Sequence, residues 1–255
     1  MTNLDDDRTL SEVAAPGRGD PDRSEHRRRD NVLNRDKIVG AAIALADGEG
    51  AAAVNMRRIA KDLGVGAMSL YWHVVDKEQL LDLMLDVVEG ESRVADLSGD
   101  WRVDFRNIAS ERRRVLLTHP WAADFMSNRK QLGPNALLRV EQSLSVLDGV
   151  DLDARTALKI LMTMDGYVTG TVLNELREIR VEETQARDGL SDAEISEGFE
   201  DWMGRLDDSG QFERVLRIFR EGIDPDAAET RDERFEFGLD CVLDGVAARL
   251  GVTSP

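Results

Sequence analysis

Apolar residues recur along this chain at three- and four-residue intervals, and no stretch alternates strictly enough to read as a strand. After Asn34, a cap residue, Ile38, Ala41, Ala42 and Leu45 form one stripe that Gly48 and Gly50 end. Asn55 opens a second, barely two-turn stripe of Met56, Ile59, Ala60 and Leu63, stopped by Gly64. A short segment from Ala67 to Val74 follows. Asp76 then caps a longer run with Leu80, Leu81, Met84, Val87 and Val88 on one side, and Gln79 sits at capping-box spacing. Further helices are expected from Trp101 to Leu117, stopping before His119-Pro120, and from Pro134 to about Leu147. The stretch Asp153 to Ile179 is apolar on several faces and reads as a helix buried on most sides. The polar segment Arg180 to Gly189 reads as a mobile loop. Ser191 and Glu194 form a capping box for a helix to about Leu206, a weaker helix covers Gln211 to Arg220, and Asp224-Pro225 opens the last one, ending near Leu250. The expected fold is all-α.

Before Asn34 the pattern is lost. Residues 1–33 mix Asp, Arg, Gly and Pro without period and read as a disordered arm. Its basic stretch Arg23 to Arg29 is either a solvated tail or an arm that touches DNA. The expected organisation is therefore an arm over 1–33, a small helical head over 34–80 and a larger helical body over 81–255.

Charge separates the head from the body. The chain holds 33 Lys+Arg and 50 Asp+Glu, a net of −17. Residues 31–77 hold 6 basic and 5 acidic residues, whereas the 178 residues beyond them hold 21 and 37. A nucleic-acid contact therefore belongs in the first 77 residues. No run of 18 uncharged apolar residues exists, so no membrane span is expected. The opening MTNLDDDRTL lacks the apolar core of a secretory signal. One cysteine, Cys241, allows no intrachain disulfide, and a cytoplasmic location is expected.

Residues 55–74 read NMRRIAKDLGVGAMSLYWHV. Two short helices around a glycine that tolerates positive φ make a helix-turn-helix, with Met56, Ile59, Ala60, Leu63 and Leu70 as its core and Val65 as a plug. The second helix would then expose Ala67, Met68, Ser69, Tyr71, Trp72 and His73. Bare aromatic side chains on so short a helix point to a partner. Arg57, Arg58, Lys61 and Lys77 could hold phosphates, as could the neutral donors Ser69, Tyr71 and His73.

On these residues, Arg35 to about Glu89 resembles the DNA-binding domain of the TetR family of transcriptional repressors. The match runs through Leu63-Gly64-Val65, then Leu70-Tyr71-Trp72-His73-Val74, then Lys77. The resemblance implies that Tyr71 and Lys77 bind operator phosphates. It places Trp72 and His73 at the DNA surface, Arg57 on a base, and Ala67 and Met68 against base edges. Ala and Met can touch thymine methyls but cannot form paired hydrogen bonds, so the tetracycline operator is not implied. Specificity is expected to rest on Arg57 and thymine contacts.

The rest of the chain resembles, more loosely, the family's regulatory domain. That resemblance implies a ligand cavity and a homodimer built from two helices of each subunit, for which Asp153–Ile179 and Asp226–Leu250 are the candidates. Candidate pocket residues are Trp101, Phe105, Trp121, Phe125, Met126, Met162, Asp165, Tyr167, Asn174, Phe199 and Trp202. Asp165 and Asn174 stand out, because a buried polar group on an apolar helix needs a partner. The expected function is a ligand-responsive regulator, a repressor released from a palindromic duplex operator by a small molecule. A constitutive or architectural DNA binder is the alternative. An enzyme is not expected: the histidines His26, His73 and His119 lie in the arm, the reading helix and a loop. No phosphate loop, metal spacing or nucleophile motif is present, so neither metal nor cofactor is implied.

Overall fold

The computed structural model describes residues 33–126, 133–189 and 191–251. The expected arm lies outside the described residues. Those residues are all-helical, with an N-terminal helix-turn-helix head followed by a larger helical body.

The head is built from α1 (Arg35–Glu49), α2 (Met56–Asp62) and α3 (Ala67–Leu70). The Asn34 side chain accepts from the Lys37 N–H at 2.9 Å, and Asn55 accepts from Arg58 at the same distance. Each satisfies a backbone donor that the first helical turn leaves open. Ile38, Ile59, Leu70 and Val74 are fully buried between these helices. Leu63 and Val65 are half-buried against them.

α4 (Lys77–Glu91) runs from the head into the body. Asp76 accepts from the Gln79 N–H at 2.8 Å. The Gln79 side chain answers from the other direction by accepting from Val75 N–H at 2.7 Å, one residue before the capping-box position. α4 packs against α1 and against α6 (Pro120–Met126) and α7 (Pro134–Ser145). Asp86 of α4 also caps α7 across the interface: its Oδ1 accepts from Asn135 and Ala136 N–H at 2.9 and 3.1 Å.

The body centres on α8 (Ala154–Asp188), which packs on α5 (Trp101–Thr118), α6, α7 and α11 (Arg231–Leu250). α9 (Asp192–Ser209) and α10 (Glu213–Arg220) pack on each other through Phe199, Trp202 and Phe219, whose ring centroids lie 5.2–5.7 Å apart. The Ser191–Glu194 capping box is present.

Four expectations differ from the structure. Arg180 to Asp188 is not a loop but the last turns of α8, because nothing breaks the helix before Gly189, which caps it at φ +70°. Arg180 and Glu182 are held there by ion pairs to Asp124 and Arg231. The last helix starts at Arg231, because Asp224 accepts from the Asp226 N–H and folds Asp224-Pro225 into a turn. α6 was not expected; Pro120 ends α5 and then serves as the first residue of a new helix, where its missing N–H costs nothing. Finally, within one chain α8 is not buried on most sides: Leu158 and Met162 are exposed, and so are Gly166 and Gly170. No helix among the described residues is long and apolar enough to cross a membrane.

Candidate functional site

The turn between α2 and α3 needs positive φ, and Gly64 supplies it at +67°. The Val65 N–H returns to the Ala60 carbonyl at 2.9 Å, which fixes the crossing of the two helices. α3 is a single turn, extended by turn geometry through His73. Its inner side is the fully buried Leu70. Its outer side is bare: Trp72 is 88% exposed, Met68 75% and Tyr71 46%. Trp72 therefore does not pack under α4. Ala67, Ser69 and His73 are half-exposed beside them, and Arg57 and Lys77 stand exposed on the flanking helices. The Arg35 Nε donates to the His73 carbonyl at 3.2 Å and ties the start of α1 to the end of this segment. Arg58 differs from Arg57. It pairs with Glu49 at 2.6 Å and with Asp62 at 3.5 Å, so carboxylates already engage its guanidinium. The outcome is a small exposed face with cations, hydroxyls and apolar groups and no carboxylate among the expected contact residues.

In the body, α5, α7 and α8 enclose a cavity of about 20 Å³, room for one water. One wall is apolar, with Phe105, Leu161 and Met164. The other end holds a ring of four charges. Glu89 of α4 accepts from Arg139 Nε at 2.6 Å and from Arg112 Nη1 at 3.1 Å. Asp165 of α8 accepts from Arg139 Nη1 at 3.2 Å. Arg112 Nε lies 3.0 Å from the same Asp165 oxygen, but off the N–H direction, so this buried donor has no hydrogen bond. Glu89, Arg112 and Arg139 are buried, while the Asp165 side chain is 35% exposed.

Two family descriptions match the chain. One, for the bacterial regulatory proteins of the tetR family, matches residues 38–84. The other, for the tetracyclin repressor-like C-terminal domain, matches residues 95–250. The chain belongs to the TetR family of transcriptional regulators. The HTH-type transcriptional repressor DrrR1 of Streptomyces coeruleorubidus is 34% identical over 230 residues, covering 88% of this chain and 82% of that protein. The crystal structure of apo ActR from Streptomyces coelicolor matches with a TM-score of 0.66 at 29% identity, over 86% of this chain and 97% of that one. ActR in complex with actinorhodin matches with a TM-score of 0.66 at 28% identity, over 86% and 99%.

Within this TetR-family body, the expected pocket residues scatter. Phe105 and Asp165 line the cavity. Trp101 is half-buried, edge-on to Phe105. Tyr167 turns away and donates to the Phe235 carbonyl at 2.5 Å. Trp121 is buried and donates to Asp47 at 2.7 Å, at the junction of head and body; Phe125 and Met126 are half-buried at the other end of α6. Met162 and Asn174 are exposed, so Asn174 does not carry the unmet need for a partner that burial would impose. Phe199 and Trp202 belong to the α9–α10 cluster. The residues that sequence reading missed are Glu89, Arg112 and Arg139. Their signal was a charge on an apolar stripe: Arg112 continues Phe105, Ile108 and Ala109, and Arg139 lies between Ala136 and Ser143. His119 does lie in the connection between α5 and α6, but it is not a surface histidine. It is buried, with Nδ1 2.8 Å from Asp47 of α1 and Nε2 3.1 Å from Glu91 of α4.

Proposed function

We propose that this chain is a ligand-responsive repressor that binds an imperfect palindromic DNA operator as a homodimer. The bare face of α3 carries the reading. A tryptophan, a methionine and a tyrosine left in water cost solvation that a DNA surface recovers. Tyr71 and Lys77 hold phosphates, and Ser69 and His73 support them. Arg57 reads a base edge, while Ala67 and Met68 touch thymine methyls. One such head covers only a few base pairs. Two heads related by a twofold axis would read half-sites about 34–36 Å apart or at a related spacing. The outer surfaces of α8 and α11 support the dimer. A groove between them is lined by Ile160, Thr163, Val242 and Gly245, and exposed Leu158, Met162 and Phe237 flank it. The functional units are the arm over 1–33, the head over 34–80 and the body over 81–255, acting in the cytoplasm.

A small molecule in the body shifts the dimer between two arrangements by binding one better than the other. ActR, the solved relative with actinorhodin bound, supports a ligand-responsive body here. α4 couples the two parts, because it carries contacts to both. The Asp47, Trp121, His119 and Glu91 contacts fasten that coupling at its far end.

Selection of bound duplexes from a random pool tests the reading. A palindromic consensus is expected. Arg57→Ala should lower affinity by about 1–3 kcal/mol and flatten the preference at one position per half-site. An unchanged ranking of operator variants would remove Arg57 from base reading. Recovery of no consensus at all would leave a sequence-indifferent DNA binder.

A further inference from the structure

The charged ring at the cavity is short of acceptors. Arg112 and Arg139 bring two guanidiniums, and two carboxylates answer them. Yet the Arg112 Nε–H, fully buried beside the cavity, has no hydrogen-bonded acceptor. A buried donor left open is costly, more so on a charged group. The four members are also held unequally. Glu89 is almost fully buried and binds both arginines, which locks α4, α5 and α7 together. Asp165 is partly solvated, and at this level it is α8's contribution to the ring. It is held by one 3.2 Å hydrogen bond and one misaligned contact. The cavity has room for one water, so a larger molecule must displace lining side chains, and among the charged ones Asp165 is the partly exposed member.

We propose that this cavity takes an amphipathic molecule carrying an acidic group, a carboxylate, sulfonate or ionised phenol. The acidic group displaces Asp165 and becomes the counter-ion of Arg112 and Arg139. The apolar body of the ligand lies against Phe105, Leu161 and Met164. A fork of guanidinium donors matches a planar acidic group in geometry as well as charge. A basic ligand would leave the open Arg112 donor unmet and add like charge to it. Asp165, turned out to solvent, keeps its hydration. Glu89 shares Arg112 and Arg139 with Asp165, so α4 is linked to the displaced side chain through those two arginines. This inference rests on the ligand-responsive reading and names the chemistry of its effector.

The test uses the full chain and two fluorescent probes of similar shape, anionic 1-anilinonaphthalene-8-sulfonate and uncharged N-phenyl-1-naphthylamine. Asp165→Asn removes the internal competitor at a partly solvated position, and a thermal melt checks that the variant is folded. The variant should bind the sulfonate about tenfold more tightly, the worth of one charge-assisted hydrogen bond, and the uncharged probe unchanged. Arg112→Lys, which keeps a charge beside Glu89 but loses the fork, should weaken the sulfonate selectively. Equal shifts for both probes, no shift, or no sulfonate binding by Asp165→Asn would overturn the site. Operator binding measured in the same titrations separates the two ideas. A sulfonate that obeys Asp165→Asn without changing operator affinity leaves the site and removes the ligand response through it. A sulfonate that releases operator regardless of Asp165→Asn leaves the response and removes this site.

Discussion

Single residues set the head's geometry through backbone constraints more than through contacts. Gly64 has open space where a Cβ would sit, so its role is conformational. An L-residue held at φ +67° is strained by about 1–2 kcal/mol. Gly64→Ala should therefore lower stability by about that amount in a denaturant titration, and Gly64→Asn by less, since Asn tolerates this region. Equal losses would mean that the turn, not the φ, is at fault. Gly238 is a different case. A Cβ there would lie 2.5 Å from the Tyr167 hydroxyl, so its small size permits the close approach of α8 and α11. Adjacent arginines likewise have separate fates. Arg58 is tied to Glu49 and Asp62, and Arg57 is left facing outward. Their order in the sequence does not distinguish them; the 100° turn between neighbouring helical residues does.

At the scale of elements, α8 is clamped to α11 by a buried carboxylate. Glu178 accepts from Arg234 at 2.8 and 3.0 Å and from Arg231 at 3.2 Å. The Arg234 hydrogen bond, with help from Arg231 and against burial, holds its carboxyl below the usual carboxylate range. A carboxylate with a lowered folded pKa stabilises fully above its unfolded value. That contribution fades as pH falls through the folded one. Thermal stability should therefore drop as pH falls below about 4.3, the ordinary glutamate value. Glu178→Gln should cost about 1–3 kcal/mol at neutral pH and flatten that acid slope. An unchanged slope would assign the acid sensitivity elsewhere. The same logic of side chains reaching between helices explains α4. Asp86 caps α7 and Glu89 binds its Arg139, so a shift of α7 bears directly on α4, which packs on α1 of the head.

For the whole molecule, the charge distribution governs how DNA is met. The head is near neutral, and the acidic body repels phosphate away from the docking faces. Non-specific duplex binding should be weak and steep in salt. A dimer with about six phosphate contacts gives a log–log slope of roughly −5. Lys77→Ala, which removes one contact per head, should bring that slope closer to zero by about 2. A slope unmoved by this substitution would take Lys77 off the phosphates.

How much of this was legible in the sequence depends on the range of the interaction involved. Capping by Asn34, Asn55, Asp76 and Ser191 and the Gly64 turn are all decided within a few residues. So is the stripe that buries Leu70 and leaves Trp72 outside. These could be read directly, and with them the helix-turn-helix and its candidate contacts. The body was legible as helices but not as a site. Arg180 to Asp188 contains no helix breaker before Gly189, but its polar face finds partners only in Asp124 and Arg231, 56 and 49 residues away, which periodicity does not reveal. Whether Asn174 or Arg112 was buried depended on which face of each helix its neighbours covered. Periodicity locates a helix's apolar stripe, but it cannot say which charges on that stripe will meet. The ring of Glu89, Arg112, Arg139 and Asp165 draws one member from each of four helices. Local pattern thus determined the reading head, whereas only tertiary packing could assemble the cavity and its counter-ions.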